Sequence, residues 1–187
     1  MILTGPEIQH QVEAGRITIQ PFDASLLSPN SYDFHLGADI GWYRRRWWGG
    51  RTLDCRQKNP FVRSTIPEQG MVLHPDRIYL AATQQVMGSA HYVPIIRARS
   101  SIARLGLFVH CTADLIDIGS VNRWTLQLHA VQPVRIYPGL RIGQVTFWVP
   151  KGDIVAYRGK YQGSMQAEPS QVWRDFVNEE AARAATA

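Results

Sequence analysis

Short stretches that alternate apolar and polar residues recur about every ten residues along this chain, each closed by glycine, proline or a polar pair. They fall at Arg16–Gln20, Ser31–Gly37, Met71–Leu73, Ile78–Ala82, Val93–Ile96, Trp124–Leu128, Val134–Tyr137, Gln144–Val149 and Ile154–Tyr157. A period of two sends successive side chains to opposite faces, so each strand has one face to bury and the sheets must stack or close. The pattern predicts an all-β sandwich or barrel. Helical periodicity is confined to the ends. Thr4-Gly5-Pro6-Glu7 opens a helix, with Thr4 as cap and Glu7 placed to complete a capping box. Ile8 and Val12, with Ile2, form its apolar stripe, and Gly15 stops it. In the tail, Pro169 to Ala187, one helical face carries Val172, Phe176 and Val177. With no internal repeat, linker or low-complexity segment, residues 1–187 read as one domain.

Composition excludes several classes. At 45% hydrophobic and 19% charged residues, the 187-residue chain is globular and can bury a core. The net charge of +5 favours anionic partners: nucleotides, nucleic acid or a membrane surface. Cys55 and Cys111 form no C-x-x-C, which argues against a disulfide framework and a structural zinc site and fits a reducing cytoplasm. No apolar run approaches the roughly 18 residues of a membrane span, and no signal peptide is expected. Trp42 to Arg51, W-Y-R-R-R-W-W-G-G-R, offers Arg between Trp rings, a pattern that can stack on single-stranded bases. A hairpin turning at Gly49-Gly50 accounts for it more simply, and nucleic acid is not the expected partner.

The chemistry concentrates between Arg97 and Gln127. Arg99, Ser100, Ser101 and Arg104 suit a phosphate: Arg supplies a planar fork of donors and Ser a hydroxyl. Further on, Leu115-Ile116-Asp117-Ile118 sets a carboxylate in an apolar frame, the usual sign of an acid held by hydrogen bonds for a purpose.

The chain resembles the trimeric dUTPase and dCTP deaminase superfamily, and within it the dCTP deaminase branch. The resemblance begins at M-I-L-T-x-x-E-I and at G-R-I-x-I-x-P-F, Gly15 to Phe22. It runs through S-Y-D-F-H-L-G, Ser31 to Gly37, and R-S-S-I-A-R-L-G-L, Arg99 to Leu107. It continues with T-A-D-L-I-D, Thr112 to Asp117, then P-G-L-R-I-G-Q, Pro138 to Gln144, and G-K-Y-Q-G-S, Gly159 to Ser164. It implies a distorted β jelly roll, a dUTPase-like barrel with a short N-terminal and a C-terminal helix. It also implies a homotrimer whose active sites lie between subunits and take a deoxynucleoside triphosphate, dCTP or dUTP-like. By the same resemblance, Arg99, Ser100, Ser101 and Arg104 hold the triphosphate and frame the reaction centre. Asp117 faces the deoxyribose, above a floor that rejects a 2′-hydroxyl. Ala113, Gln144 and Ser164 lie at the nucleotide. Tyr157, Lys160 and Tyr161 belong to a segment, from about 157 to 187, that closes over it or stays mobile. Mg²⁺ would arrive with the triphosphate, held by its oxygens and water, with no metal site of the protein's own.

One position departs in a way that bears on the chemistry. Where the deaminases carry a glutamate general base in a T-L-E-L pattern, this chain has Gln127, in Thr125-Leu126-Gln127-Leu128. An amide orients a water but has no basic site near pH 7. Asp114 is the closest candidate acid to compensate. After Asp117 the family's glycine–aromatic–glycine run becomes Gly119, Ser120, Val121 and Asn122, without the aromatic. In the tail, K-Y-Q-G-Q becomes Lys160 to Ser164. Three functions remain open: hydrolytic deamination of dCTP to dUTP and ammonia, with Gln127, Ser100, Arg104 and Asp117 at the reaction centre; a dUTPase-type diphosphatase using Asp117; and a non-catalytic trimer that sequesters a nucleotide.

Overall fold

A computed structural model describes residues 1–44 and 52–178. Its strands are β1 (Ile17–Gln20), β2 (Leu27–Ser28), β3 (Ser31–Tyr43), β4 (Phe61–Thr65), β5 (Met71–Leu73), β6 (Tyr79–Thr83), β7 (Val86–Ser89), β8 (Val93–Ala98), β9 (Leu107–Phe108), β10 (Thr125–Ala130), β11 (Val134–Ile136) and β12 (Arg141–Trp148). The largest sheet runs β8-β12-β3-β6-β10-β9, with β2 and β4 also paired to β3. Two small sheets, β1-β7 and β11-β5, complete a mainly β fold of the barrel-like, jelly-roll kind. The pairings that carry a register are antiparallel, and the central strand β3 bends where its register to β6 shifts between Leu36 and Ile40.

The period-two pattern works as physics requires. On β10, Leu126, Leu128 and Ala130 are fully buried, while Thr125, Gln127 and His129 on the other face are half-buried. On β12, Ile142, Val145 and Phe147 enter the core. Gly143 lies so close to the Phe34 ring that a Cβ there would collide with it, which brings β12 tight against β3 just before Gln144. The core gathers Tyr32, Phe34, Leu36, Ile40, Ile96 and Leu107 from several strands.

Several expectations change in detail. The strand expected at Ser31–Gly37 continues to Tyr43, since pairing with β4 and β6 carries it across Gly37. Ile154–Tyr157 is not a strand: it pairs with no strand of the described residues, and Val155 is 86% exposed, so its alternation buries no face. The strand β4 and the one-turn helix α2 (Ser100–Ala103) carry too little periodicity to be read in advance. The N-terminal helix α1 (Gly5–Glu13) begins after Thr4, but Thr4 makes no side-chain cap. Glu7 accepts instead from Gln11 one turn on, so no capping box forms. In the tail, residues 173–178 are helical; Trp173 rather than Val177 joins Val172 and Phe176 on the covered side. The hairpin expected at Gly49-Gly50 lies outside the described residues. Trp42 packs edge-on to Tyr79, with ring centroids 5.9 Å apart, so the described start of that cluster is core packing. Among the described residues no helix is long and apolar enough to cross a membrane.

Candidate active site

Strand β10 and the loop before it build the floor of one wide cavity of about 810 Å³. Gln127 is fixed by both backbone groups: its N–H donates to Val109 O at 3.1 Å, and its carbonyl accepts from Cys111 Sγ at 3.4 Å. Its side-chain amide makes no hydrogen bond among the described residues and faces the cavity with Asp117, Ala113, Ile116 and His110. Asp117 is exposed there. Its carbonyl accepts from Ser120 N at 3.1 Å, in the turn that Gly119 closes. Gly119 has φ +88° and passes 3.2 Å, by its missing Cβ, from Tyr157 N; a side chain would meet both steric limits at once. Burial depresses the His110 pKa below its ordinary 6.5, so its ring is neutral at pH 7.

The C-terminal segment forms the opposite wall. Tyr157 N donates to Ile118 O at 2.7 Å, and Tyr161 N to the Tyr157 hydroxyl at 3.2 Å. Beyond it, Ser164 O accepts from Arg123 N, Glu168 N donates to Thr125 Oγ1 at 3.0 Å, and Ser170 N to the Tyr43 hydroxyl at 2.7 Å. Ala167 is buried against Leu80 and Ala82, which ties the strap to the sheet beside Gln127. Tyr157, Tyr161 and Ser164 line the cavity; Lys160 does not, and holds Asp175 instead.

The arginine–serine group stands apart from this cavity. Arg99 precedes α2, and its Nε donates to Asp33 Oδ2 at 2.9 Å. Ser100, Ser101 and Arg104 are exposed on α2 and just after it. Gln144 pairs with Asp33 in register and accepts from Ser31 Oγ at 3.3 Å, on the same side as Arg99. Within one chain, then, the residues divide. Ala113, Asp117, Gln127, Tyr157, Tyr161 and Ser164 share the cavity, whereas Arg99, Ser100, Ser101, Arg104 and Gln144 do not line it. Asp114 is committed elsewhere: its carboxylate pairs with Arg97 and does not reach the cavity, so it is no substitute for a base at 127. Charged side chains on the cavity wall that the sequence reading did not assign to the site include Asp76, Arg77, Arg123 and Glu168.

A β barrel of this topology with a nucleotide-sized cavity on β10 defines a class, and comparison narrows it. Residues 2–149 match the family model described as dCTP deaminase-like, and the chain belongs to that family. It is 39% identical over 177 residues to a "dCTP deaminase, dUMP-forming" of Leptospira biflexa, covering 94% of this chain and 98% of that one. Proteins of the same description from Hathewaya histolytica and Clostridium acetobutylicum are 38% and 37% identical, over 94% and 95% of this chain and 99% and 100% of theirs. The crystal structure of a 2′-deoxycytidine 5′-triphosphate deaminase from Agrobacterium tumefaciens superposes with a TM-score of 0.61 at 18% identity, over 80% of this chain. That likeness concerns the fold; this chain spans 48% of that protein's length.

Proposed function

We propose that this protein is a homotrimer that binds dCTP between two subunits and hydrolyses it, water displacing ammonia at C4 of the cytosine. The division of the site residues within one chain carries the reading. The cavity offers a nucleoside Asp117, Gln127 and two tyrosines, and the phosphate-suited group, Arg99, Ser100, Ser101, Arg104 and Gln144, is presented for a neighbour. The relatives' description names dUMP as their product. Brought to this chain, it adds loss of diphosphate, with the attacking water held at Asp117. Arg99 and the serine hydroxyls suit phosphate oxygens rather than a metal ion, and among the described residues no three His, Cys, Asp or Glu gather as a metal site. Mg²⁺ would enter on the triphosphate and neutralise part of its charge. Two exposed free thiols fit a reducing cytoplasm.

Gln127 sets the pace of the first step. Its amide can hold a water against C4 but cannot take its proton, and a missing general base costs about 10²–10⁴-fold in rate. The same residue favours a second reading, a trimer that holds the nucleotide without deaminating it. Incubation with dCTP and Mg²⁺, with products separated over time, decides. Slow dUMP or dUTP supports the first reading. dCMP means diphosphate release alone. Bound but unchanged dCTP favours the second.

A further inference from the structure

The guanidinium of Arg123 stands in the cavity without a partner among the described residues. The alternation of β10 runs back past its first residue. Asn122 and Trp124 are each 3% exposed, and Arg123 between them falls on the face that carries Thr125 and Gln127. Its backbone is well fixed. Arg123 N donates to Ser164 O at 3.1 Å, Asn122 and Met87 exchange backbone bonds of 3.1 and 2.9 Å, and Trp124 N donates to Thr83 Oγ1 at 3.0 Å. The side chain itself is half-buried, and its Nε is buried with no acceptor.

The carboxylates on the same wall do not supply one. Glu168 meets Arg63 at 3.5 Å, and Asp76 meets Arg77 at 3.1 Å. Asp117 makes no ion pair with Arg123. A half-buried cation with unmet donors carries a cost that an anionic ligand removes. The place of Arg123 says which anion. It lies four residues before Gln127, about 13 Å along an extended chain. With the base at Gln127 and the sugar at Asp117, a deoxynucleoside triphosphate is long enough to set its distal phosphates beside Arg123. The planar donor fork of an arginine matches phosphate oxygens.

We propose that Arg123 binds the distal phosphates of the nucleotide from within the cavity, in addition to the Arg99 and Ser100 group that a neighbouring subunit presents. The inference rests on the cavity being the nucleotide site, as proposed above. It adds a phosphate-binding residue on the chain that holds the base, so that two subunits rather than one grip the triphosphate.

The test uses the full-length protein with Mg²⁺ and the α,β-imido analogue of dCTP, whose bridging nitrogen blocks diphosphate release. Binding is followed by calorimetry, with dCMP measured by competition. Arg123→Gln and Arg123→Met keep the aliphatic stem and lose the charge; each should weaken the analogue about tenfold or more, and dCMP by about threefold or less. Arg123→Lys keeps the charge and should bind the analogue at least about threefold more tightly than either. Thermal melting and sedimentation should show each variant folded and assembled as the wild type is. Analogue binding unchanged in both neutral variants overturns the inference and leaves the proposed function standing. So does a Lys variant no better than the neutral ones, or an equal loss for dCMP, which would put the guanidinium at the base or sugar. Loss of assembly in the neutral variants would assign Arg123 to a subunit contact and overturn the inference as well. A wild type that binds no analogue overturns both.

Discussion

Residue 127 carries a carboxamide, which has no basic site near pH 7. The register of β10 against β6, with Gln127 opposite Leu80, depends on backbone and on Leu126 and Leu128, not on the amide. Gln127→Glu is therefore expected to fold normally and to raise dCTP deamination by about 10²–10⁴-fold, measured as ammonia release. An unchanged rate would mean that the cavity around C4 has diverged as well. On the proposed function, Asp117→Asn should weaken deoxynucleotide binding about tenfold, because the carboxyl group proposed to face the sugar becomes an amide. The two histidines make a pH prediction. His35, beside Gln85, and His110 both have pKa values lowered chiefly by burial. Each is neutral in the folded state and takes up a proton on unfolding once the pH falls below 6.5. Stability is thus full above that pH and declines as the pH falls from it toward the lowered folded values. The melting temperature should fall with acidification in that window, and His35→Gln should flatten part of the decline.

Among elements, the strap from Tyr157 to Gln171 is the one whose position the site depends on. It is held by backbone N–H groups given to side-chain oxygens on the sheet, Thr125 Oγ1 and the Tyr43 hydroxyl, and by Arg63 Nη1 donating to Ala167 O at 2.8 Å. Little apolar area supports it beyond Ala167, so its local stability is expected to lie well below that of the core strands. Tyr43→Phe deletes one acceptor. The loss of about 1 kcal/mol should speed hydrogen exchange at Ser170 about fivefold and leave the β10 amides unchanged. The strap also shows where sequence reading stops. Its attachments to the sheet and to the loop before β10 join residues about forty or more positions apart, and no local periodicity encodes them. The strands β3, β10 and β12 were legible because alternation is a local pattern with a single physical cause. The helix α2 was not, since a four-residue turn is stabilised by the packing of Ile102 rather than by propensity.

At the scale of the whole molecule, three exposed apolar side chains fall on neighbouring segments. Leu105, Phe108 and Val131 are 50, 53 and 57% exposed, and the Val131 N–H to Gly106 O bond of 2.9 Å holds their segments together at the β9 edge. Beside α2, this patch suits contact between copies. Sedimentation should give three times 21.2 kDa for the wild type, and a Phe108→Ser, Leu105→Ser pair should shift it toward the monomer and abolish nucleotide binding with it. A monomeric wild type that still binds dCTP would remove the shared-site reading.

Strand alternation, the arginine–serine run, Asp117 and the amide at 127 were all determined by the order of residues, because each is a local chemical or periodic fact. Which of them meet was decided by the fold. Register and the bend in β3 bring Asp117, Gln127 and the tail tyrosines onto one cavity, turn Asp114 toward Arg97, and carry the phosphate-suited group to another face. Long-range pairing sets those distances, and it is a property of the closed sheet rather than of any segment in it.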